Sequence, residues 1–405
     1  IVLEIDNDAI KIGLKDGNKV IMNKQNSLFN TKENIDLDQL FTVGDVIVVK
    51  RTKNKSYALS QIPEVNGAIM VMEINTGKVL AAIGGYDYNA SKFNRVSQAK
   101  RQPGSLIKPF VYLAAIEEGI PPNKIYDDLP LEIEQGPGLP SWIPKNYDNN
   151  FLGPITLRRG CEGSRNLITV RVGFEVGLNK IREVISRFGI NQSPPELNSI
   201  LLGAVETNLE KMTAAYSSIG NKGNKVTPHY IELIKDRRGN VIYKRDFNEC
   251  RQCKHYLQDQ DGIILPPEVK KVTETKLTDQ ASSYQLTSIL AGAVQRGTVR
   301  KAKSLNLFLA GKTGTTNDAK DAWFVGYTPK IVVGTYIGYD QPKSLGDNIY
   351  GSNTALPIFI NFLAGEHSYI FSQGCFSYIY LYFVLDFGGL GLGFLSYHFQ
   401  VAVFG

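Results

Sequence analysis

Short apolar runs alternate with polar turns along the first sixty residues. Val2-Leu3-Glu4-Ile5, Ile10-Lys11-Ile12, Val20-Ile21-Met22 and Val46-Ile47-Val48-Val49 are separated by Asp, Asn, Gly and Lys. Brief apolar segments bounded by turn formers predict short strands. Residues 1–60 therefore read as a small all-β module, barrel-like and of the oligonucleotide/oligosaccharide-binding (OB) type. Such barrels take many ligands, so the module assigns no function by itself.

From Pro63 the pattern changes. Residues 68–74, the turn Asn75-Thr76-Gly77 and residues 79–83 predict a β-hairpin ending in Gly84-Gly85. The turn at Pro103-Gly104 feeds an apolar run over residues 106–116 that ends at Gly119, which predicts a helix. Residues 120–155, rich in Pro, Gly and Asn, read as a surface loop. Its Trp142-Ile143-Pro144-Lys145-Asn146-Tyr147-Asp148 cluster would either line a cleft or anchor the loop by packing. Helical periodicity returns over residues 156–189, broken near Ser164, and again over 205–220 and 278–296, each closed by glycine. After Gly297, residues 307–316, 322–327 and 331–339 predict three strands. Hairpin, helices and a strand meander make residues 61–365 a mixed α/β domain: an antiparallel sheet flanked by helices.

Residues 366–405 are different in kind. No Lys or Arg follows Lys343, and from His367 onward Asp386 is the single charge among Phe, Tyr and Gly. Asp386 and Gly388-Gly389-Leu390-Gly391 interrupt a membrane helix, and no basic flank would orient one. An atypical apolar tail, such as an out-of-frame extension, is expected ahead of a membrane segment. The first residues read as a strand entered partway, so the chain is expected to be the later part of a longer protein.

Composition is that of a globular chain: 405 residues, 43% hydrophobic and 21% charged, which excludes a disordered or collagen-like protein. The net charge of +6 is spread without a Lys/Arg block and does not point to nucleic acid. Four cysteines are too few for a disulfide scaffold. Cys250-Arg251-Gln252-Cys253 lacks the second ligand pair of a zinc site and would form at most a local disulfide in an exported chain. The four histidines are scattered, so no metal and no cofactor is expected.

Chemistry enters at Arg101-Gln102-Pro103-Gly104-Ser105-Leu106-Ile107-Lys108. Ser105 and Lys108, three apart at a helix start, share a face: a nucleophile with a base, or merely a capping serine beside an ordinary lysine. Two further stretches favour the first. Ser164-Arg165-Asn166 lies at the break in the helical pattern, and Lys312-Thr313-Gly314-Thr315 on a predicted strand. Ser-x-x-Lys, Ser-x-Asn and Lys-Thr-Gly in that order form the motif set of penicillin-binding proteins and serine β-lactamases. A neutral Lys108 would take the Ser105 proton, and Lys312 supplies a second cation that lowers its pKa. Ser164 would relay a proton to the leaving amine, and Asn166 would hold a substrate amide. Gly314 would let a peptide approach the strand, Thr313 and Thr315 would hold its carboxylate, and the N–H groups of Ser105 and Thr315 would form the oxyanion hole.

From about Val46 to Leu363 the chain resembles a class A penicillin-binding protein: its transpeptidase domain with the small β-domain before it, without the upstream glycosyltransferase domain and anchor. Gln61-Ile62-Pro63-Glu64-Val65, Phe93-Asn94-Arg95, Asn146-Tyr147-Asp148 and Asp321-Ala322-Trp323-Phe324-Val325-Gly326-Tyr327 add to the likeness. The resemblance implies a D,D-transpeptidase. Its serine attacks the D-alanyl-D-alanine end of a peptidoglycan stem peptide, D-alanine leaves, and a neighbouring stem's amine resolves the acyl-enzyme. β-Lactams would acylate the same serine. Stem peptides and the cell-wall synthesis machinery are the implied partners, and the periplasmic face of the bacterial inner membrane is the implied location.

Two rival readings remain. A β-lactamase would need a glutamate for deacylation, and Glu175 superficially fits but is expected to be structural. A non-catalytic remnant would bind muropeptide or a partner only. Gly160-Cys161-Glu162-Gly163 ahead of Ser164 is expected to loosen the site.

Overall fold

The computed structural model describes residues 1–27, 36–52, 56–138, 140–245, 248–250, 269–271, 275–370, 380–387 and 392–400. The chain forms two compact units, one of Ile1–Asn66 with Ile379–Gln400 and one chiefly of Gly67–Tyr378.

In the first unit, β1 (Val2–Ile5), β2 (Ala9–Gly13) and β3 (Lys19–Asn23) form an antiparallel sheet in that order. Ile10 and Ile12 alternate with exposed Lys11, as a strand period of two requires, and are buried with Val2, Met22, Leu37 and Phe41. Two single turns of helix follow, α1 (Lys24–Ser27) and α2 (Leu37–Leu40). β4 (Val48–Arg51) then pairs with β5 (Tyr57–Ser60), whose Leu59 packs on the same cluster with Val49. Every predicted strand forms. Strand β5 escaped the pattern because four residues of mixed polarity carry no period.

The second unit begins with the predicted hairpin, β6 (Asn66–Glu73) and β7 (Val79–Ile83). A 3-10 turn, Gly104–Ile107, leads into α3 (Lys108–Glu117). Residues 108–116 of α3 are all buried, so this is a central helix and not a surface one. It packs against α5, α6 and α8, with Phe110 edge-on to Phe188 and Tyr216 at 5.3 and 5.6 Å. β8 (Ile125–Asp128) pairs with β9 (Gly153–Thr156) across the base of the predicted loop. The helical stretch that follows divides into α4 (Leu157–Glu162), α5 (Asn166–Val176) and α6 (Leu178–Arg187). α7 (Leu209–Gly220) starts four residues later than its pattern suggested, where the Asn208 side chain caps Lys211 N. Two small hairpins follow: β10 (Leu233–Lys235) with β11 (Val241–Lys244), and β12 (Asn248–Cys250) with β13 (Val269–Lys271).

α8 (Gln280–Arg296) is capped by Asp279, whose carboxylate accepts from Ala281 N and Ser282 N. β14 (Ala310–Thr315), β15 (Asp321–Tyr327) and β16 (Ile331–Gly338) form the predicted meander. The five-stranded sheet runs β14-β15-β16-β6-β7. Ile74 N bonds Lys330 O while Gly67 lies at Tyr336 O, so β6 runs antiparallel to β16. β14 lies at an edge of this sheet.

α9 (Ala355–Ile370) crosses the predicted start of the tail, and β17 (Tyr380–Phe387) pairs antiparallel with β18 (Leu392–Gln400). Among the described residues no helix is long and apolar enough to cross a membrane. The Cys250–Cys253 pair lies outside the described side chains.

Candidate active site

The Ser105 turn lies flat against the edge strand because two glycines allow it. Gly104 has φ +52°, and a Cβ there would fall 2.3 Å from Thr315 O. A Cβ on Gly314 would fall 2.4 Å from Pro103 O and 2.9 Å from Leu106 Cγ. The sequence suggested that Gly314 admits a peptide. In the structure the space above its Cα is taken by the serine turn itself. Tyr216 donates its hydroxyl to Leu106 O at 2.8 Å and ties the same turn to α7.

Lys108, the first residue of α3, sends its ammonium to Ser164 and Asn166. Its Nζ donates to Ser164 O at 2.6 Å, to Asn166 Oδ1 at 2.5 Å and to Ser164 Oγ at 3.3 Å. Lys312 Nζ, from β14, donates to the same Ser164 Oγ at 2.8 Å and to Thr313 O at 3.0 Å. Among the described residues Ser105 Oγ makes no hydrogen bond to Lys108, whose amine is directed to the Ser164 turn. The physical reason is competition: three oxygens, Ser164 O, Ser164 Oγ and Asn166 Oδ1, draw the Lys108 amine to the Ser164 turn.

Both lysines are fully buried. Burial first, and the neighbouring Lys312 charge second, hold Lys108 well below the ordinary lysine range, and Arg165 adds to the effect. Burial brings Lys312 down to about 8. Cys161 is a buried free thiol beside them. Burial pushes it up to about 12, so it stays neutral.

Ser164 occupies the break between α4 and α5 with φ +57°, a left-handed conformation that presents its carbonyl to Lys108. The glycines before it do not loosen the site. A Cβ on Gly160 would lie 2.4 Å from Ile168 Cγ2, so the glycine permits close packing of α4 on α5. Glu162, fully buried, accepts from Arg296 Nε at 2.8 Å and Nη2 at 2.5 Å, and its carbonyl accepts from Thr298 N. That pair pins α4 to the end of α8. Gly160→Val is expected to cost about 1–3 kcal/mol by overpacking, read as a lower midpoint in thermal or urea unfolding; an unchanged midpoint would refute the packing role.

Thr313 Oγ1 donates to Thr298 Oγ1 at 3.3 Å, and Thr315 Oγ1 accepts from Gly351 N at 3.1 Å. Asn166 is engaged at both ends, for its Nδ2 donates to Lys145 O at 2.6 Å. Lys108, Ser164, Asn166 and Lys312 thus gather around one turn, while Thr313, Gly314 and Thr315 follow Lys312 along β14, which the Ser105 turn abuts. Four buried residues near this site fall outside the candidate catalytic and substrate-binding set: Asp128, Asn146, Glu162 and Arg165. Their signal is polarity inside otherwise apolar or loop-like sequence, which becomes informative once burial is known. Trp142 packs on the core, the anchoring alternative for its loop, while exposed Tyr147 meets Tyr350 edge-on at 4.9 Å. Glu175 is engaged by Lys124 and by Tyr126 Oη at 2.9 Å, and Lys124 holds its carboxyl below the ordinary range.

Comparison with known families places this geometry. The model of the penicillin binding protein transpeptidase domain matches residues 67–364, and that of the penicillin-binding protein OB-like domain matches residues 1–65. The chain belongs to the class A penicillin-binding proteins. It is 55% identical over 367 residues to penicillin-binding protein 1A of Rickettsia conorii, covering 91% of this chain and 46% of that protein. Penicillin-binding protein 1A of Neisseria gonorrhoeae is 37% identical, over 79% of this chain and 38% of its own length. The chain spans about half the length of the curated relatives it matches. Among solved structures, penicillin-binding protein 1A from Haemophilus influenzae has a TM-score of 0.78 at 24% identity, covering 99% of this chain and 62% of that chain. PonA1 from Mycobacterium tuberculosis in complex with penicillin V has a TM-score of 0.60 at 23% identity, covering 79% and 82%. These two structural likenesses bear on the fold alone.

Proposed function

We propose that this penicillin-binding protein is a serine D,D-transpeptidase that cross-links peptidoglycan stem peptides through an acyl-enzyme on Ser105, and is acylated there by β-lactams. The observation that carries the reading is the convergence of two buried lysines on Ser164, beside a serine turn held against the edge strand β14. A lysine kept from protonation by burial and a second cation is a base at neutral pH. Lys108 would take the Ser105 proton as Oγ attacks the D-alanyl carbonyl. Ser164 lies between both ammoniums and would carry that proton to the departing D-alanine amine. Lys312, Thr313 and Thr315 would hold the terminal carboxylate, Gly314 would keep β14 close to the serine turn, and Asn166 would hold the peptide amide. The Ser105 and Thr315 N–H groups would meet the developing oxyanion.

The edge position of β14 suits an extended stem peptide added as a strand. Partners in the cell-wall synthesis machinery and a place on the periplasmic face of the inner membrane go with this reading.

A time course of labelling by a fluorescent penicillin tests it. A stable band in the wild type that vanishes in Ser105→Ala is the expected result. Rapid loss of the label would favour a β-lactamase, and a folded chain that takes no label would favour a remnant that only binds.

A further inference from the structure

A closed polar cluster lies beneath the Ser164–Asn166 turn, built from residues to which the three motifs assign no chemistry. Asp128 ends β8 and is fully buried. Its Oδ1 accepts from Asn146 Nδ2 at 2.7 Å, and its Oδ2 accepts from Arg165 Nε at 2.8 Å and Leu152 N at 3.1 Å. Asn146, itself buried, accepts on Oδ1 from Asn166 N at 2.9 Å and Leu167 N at 3.3 Å. Those are the first two amides of α5, whose own N-cap, Arg165, has no side-chain cap bond. The cap is supplied instead by a loop about twenty residues upstream, giving the helix the acceptor that its N-terminus lacks. Arg165 closes the cluster by gripping Asp148 through Nη1 at 3.0 and 2.8 Å and Asn150 O through Nη2.

The consequence reaches the reacting groups through one carbonyl. With the loop held by Asn146, Lys145 O receives Asn166 Nδ2 at 2.6 Å, which leaves Asn166 Oδ1 facing Lys108 Nζ at 2.5 Å. An amide free to turn over would set its NH2 against that ammonium and push it off the turn. The orientation is therefore imposed from outside: carboxylate to asparagine, asparagine to helix start and loop, loop carbonyl to Asn166.

We infer that Asp128, Asn146 and Arg165 are positioning residues for acyl transfer: they set the Asn166 amide, and with it the seat of Lys108, without touching substrate. The inference rests on the reading of Ser105 as the acylated serine. Its mark is a defect in the chemical step with initial binding preserved, which general loss of structure would not produce.

Stopped-flow acylation of the full chain by a fluorescent penicillin separates the non-covalent dissociation constant from the acylation rate constant. In Asp128→Asn the rate constant is expected to fall about 100-fold, the scale of a misplacement near 1 Å, with the dissociation constant unchanged within about twofold. The swap Asp128→Asn with Asn146→Asp restores the donor–acceptor pair between these two positions and the net charge but loses the bond from Asn146 Nδ2 to Asn150 O at 3.0 Å, so it should recover only about threefold of that loss. Should Asp128→Asn fail to fold, Asp148→Ala removes a half-exposed carboxylate from the same guanidinium and should slow acylation about fivefold. A wild-type rate constant in the folded variant, or an equal weakening of binding and rate, overturns the inference. A wild type that takes no label removes the acylation reading and this inference together; one that labels no faster than Asp128→Asn removes this inference alone.

Discussion

Lys108→Met is expected to lower the rate constant for acylation by a fluorescent penicillin by about a thousandfold at pH 7, within the range that a positioned general base contributes. The variant keeps a long apolar stem in a buried site, so loss of label in a chain that still melts cooperatively assigns the effect to the amine. The pH profile gives the sharper test. Acylation should rise as pH rises through the deprotonation of Lys108, which burial, the Lys312 charge and Arg165 together hold well below the ordinary lysine range. The Lys312 ammonium disfavours a second positive charge beside it. Removing it in Lys312→Gln must therefore raise the Lys108 pKa, and the ascending limb should move to higher pH although the maximum also falls. A limb that stays in place or moves to lower pH would contradict the electrostatic role given to Lys312. An acylation rate for Lys108→Met within tenfold of wild type would end the case for Lys108 as base.

Gly314→Val should be nearly as damaging, by a different route. A Cβ at this position meets Pro103 O at 2.4 Å, Leu106 Cγ at 2.9 Å and Trp323 Cβ at 3.1 Å, on a strand paired to β15. Neither the backbone of the serine turn nor the sheet can yield cheaply. The expected result is a stability loss of about 1–3 kcal/mol, with acylation reduced by about 100-fold in the fraction that folds, because the turn carrying Ser105 is displaced. Unfolding midpoints and labelling rates measured on one sample would separate the two. A variant with wild-type stability and labelling would show that the close approach at Gly314 is dispensable.

Much of this architecture was readable from the chain. The period-two run of β2 and the continuous apolar runs of β6, β15 and α3 declare themselves locally, because a half-buried strand alternates and a fully buried element does not. The motif order also singles out residues that the fold brings to the Ser164 turn, and the break in helical pattern at Ser164 is present between α4 and α5. What local pattern could not convey was pairing at a distance. Ser105 and Lys108 are neighbours in sequence, yet Lys108 bonds a turn more than fifty residues away. The glycine-rich stretch before Ser164 looked loose because propensity penalises glycine within a helix, whereas Gly160 lets α4 lie against Ile168.

The buried charges mark the same boundary. Glu162, Arg165 and Asp128 resemble surface residues until their partners Arg296, Asp148 and Asn146 arrive from other elements. The amino-acid sequence alone determined the central helices and the main sheet strands, and the residue types of the three motifs and their order along the chain. Tertiary structure alone decided which oxygens hold each ammonium, which glycines bring the serine turn to β14, and which way Asn166 faces. The physical reason is that periodicity and turn chemistry are local properties of the backbone, while desolvation, charge coupling and hydrogen-bond satisfaction depend on groups that only the folded chain brings within about 3 Å of one another.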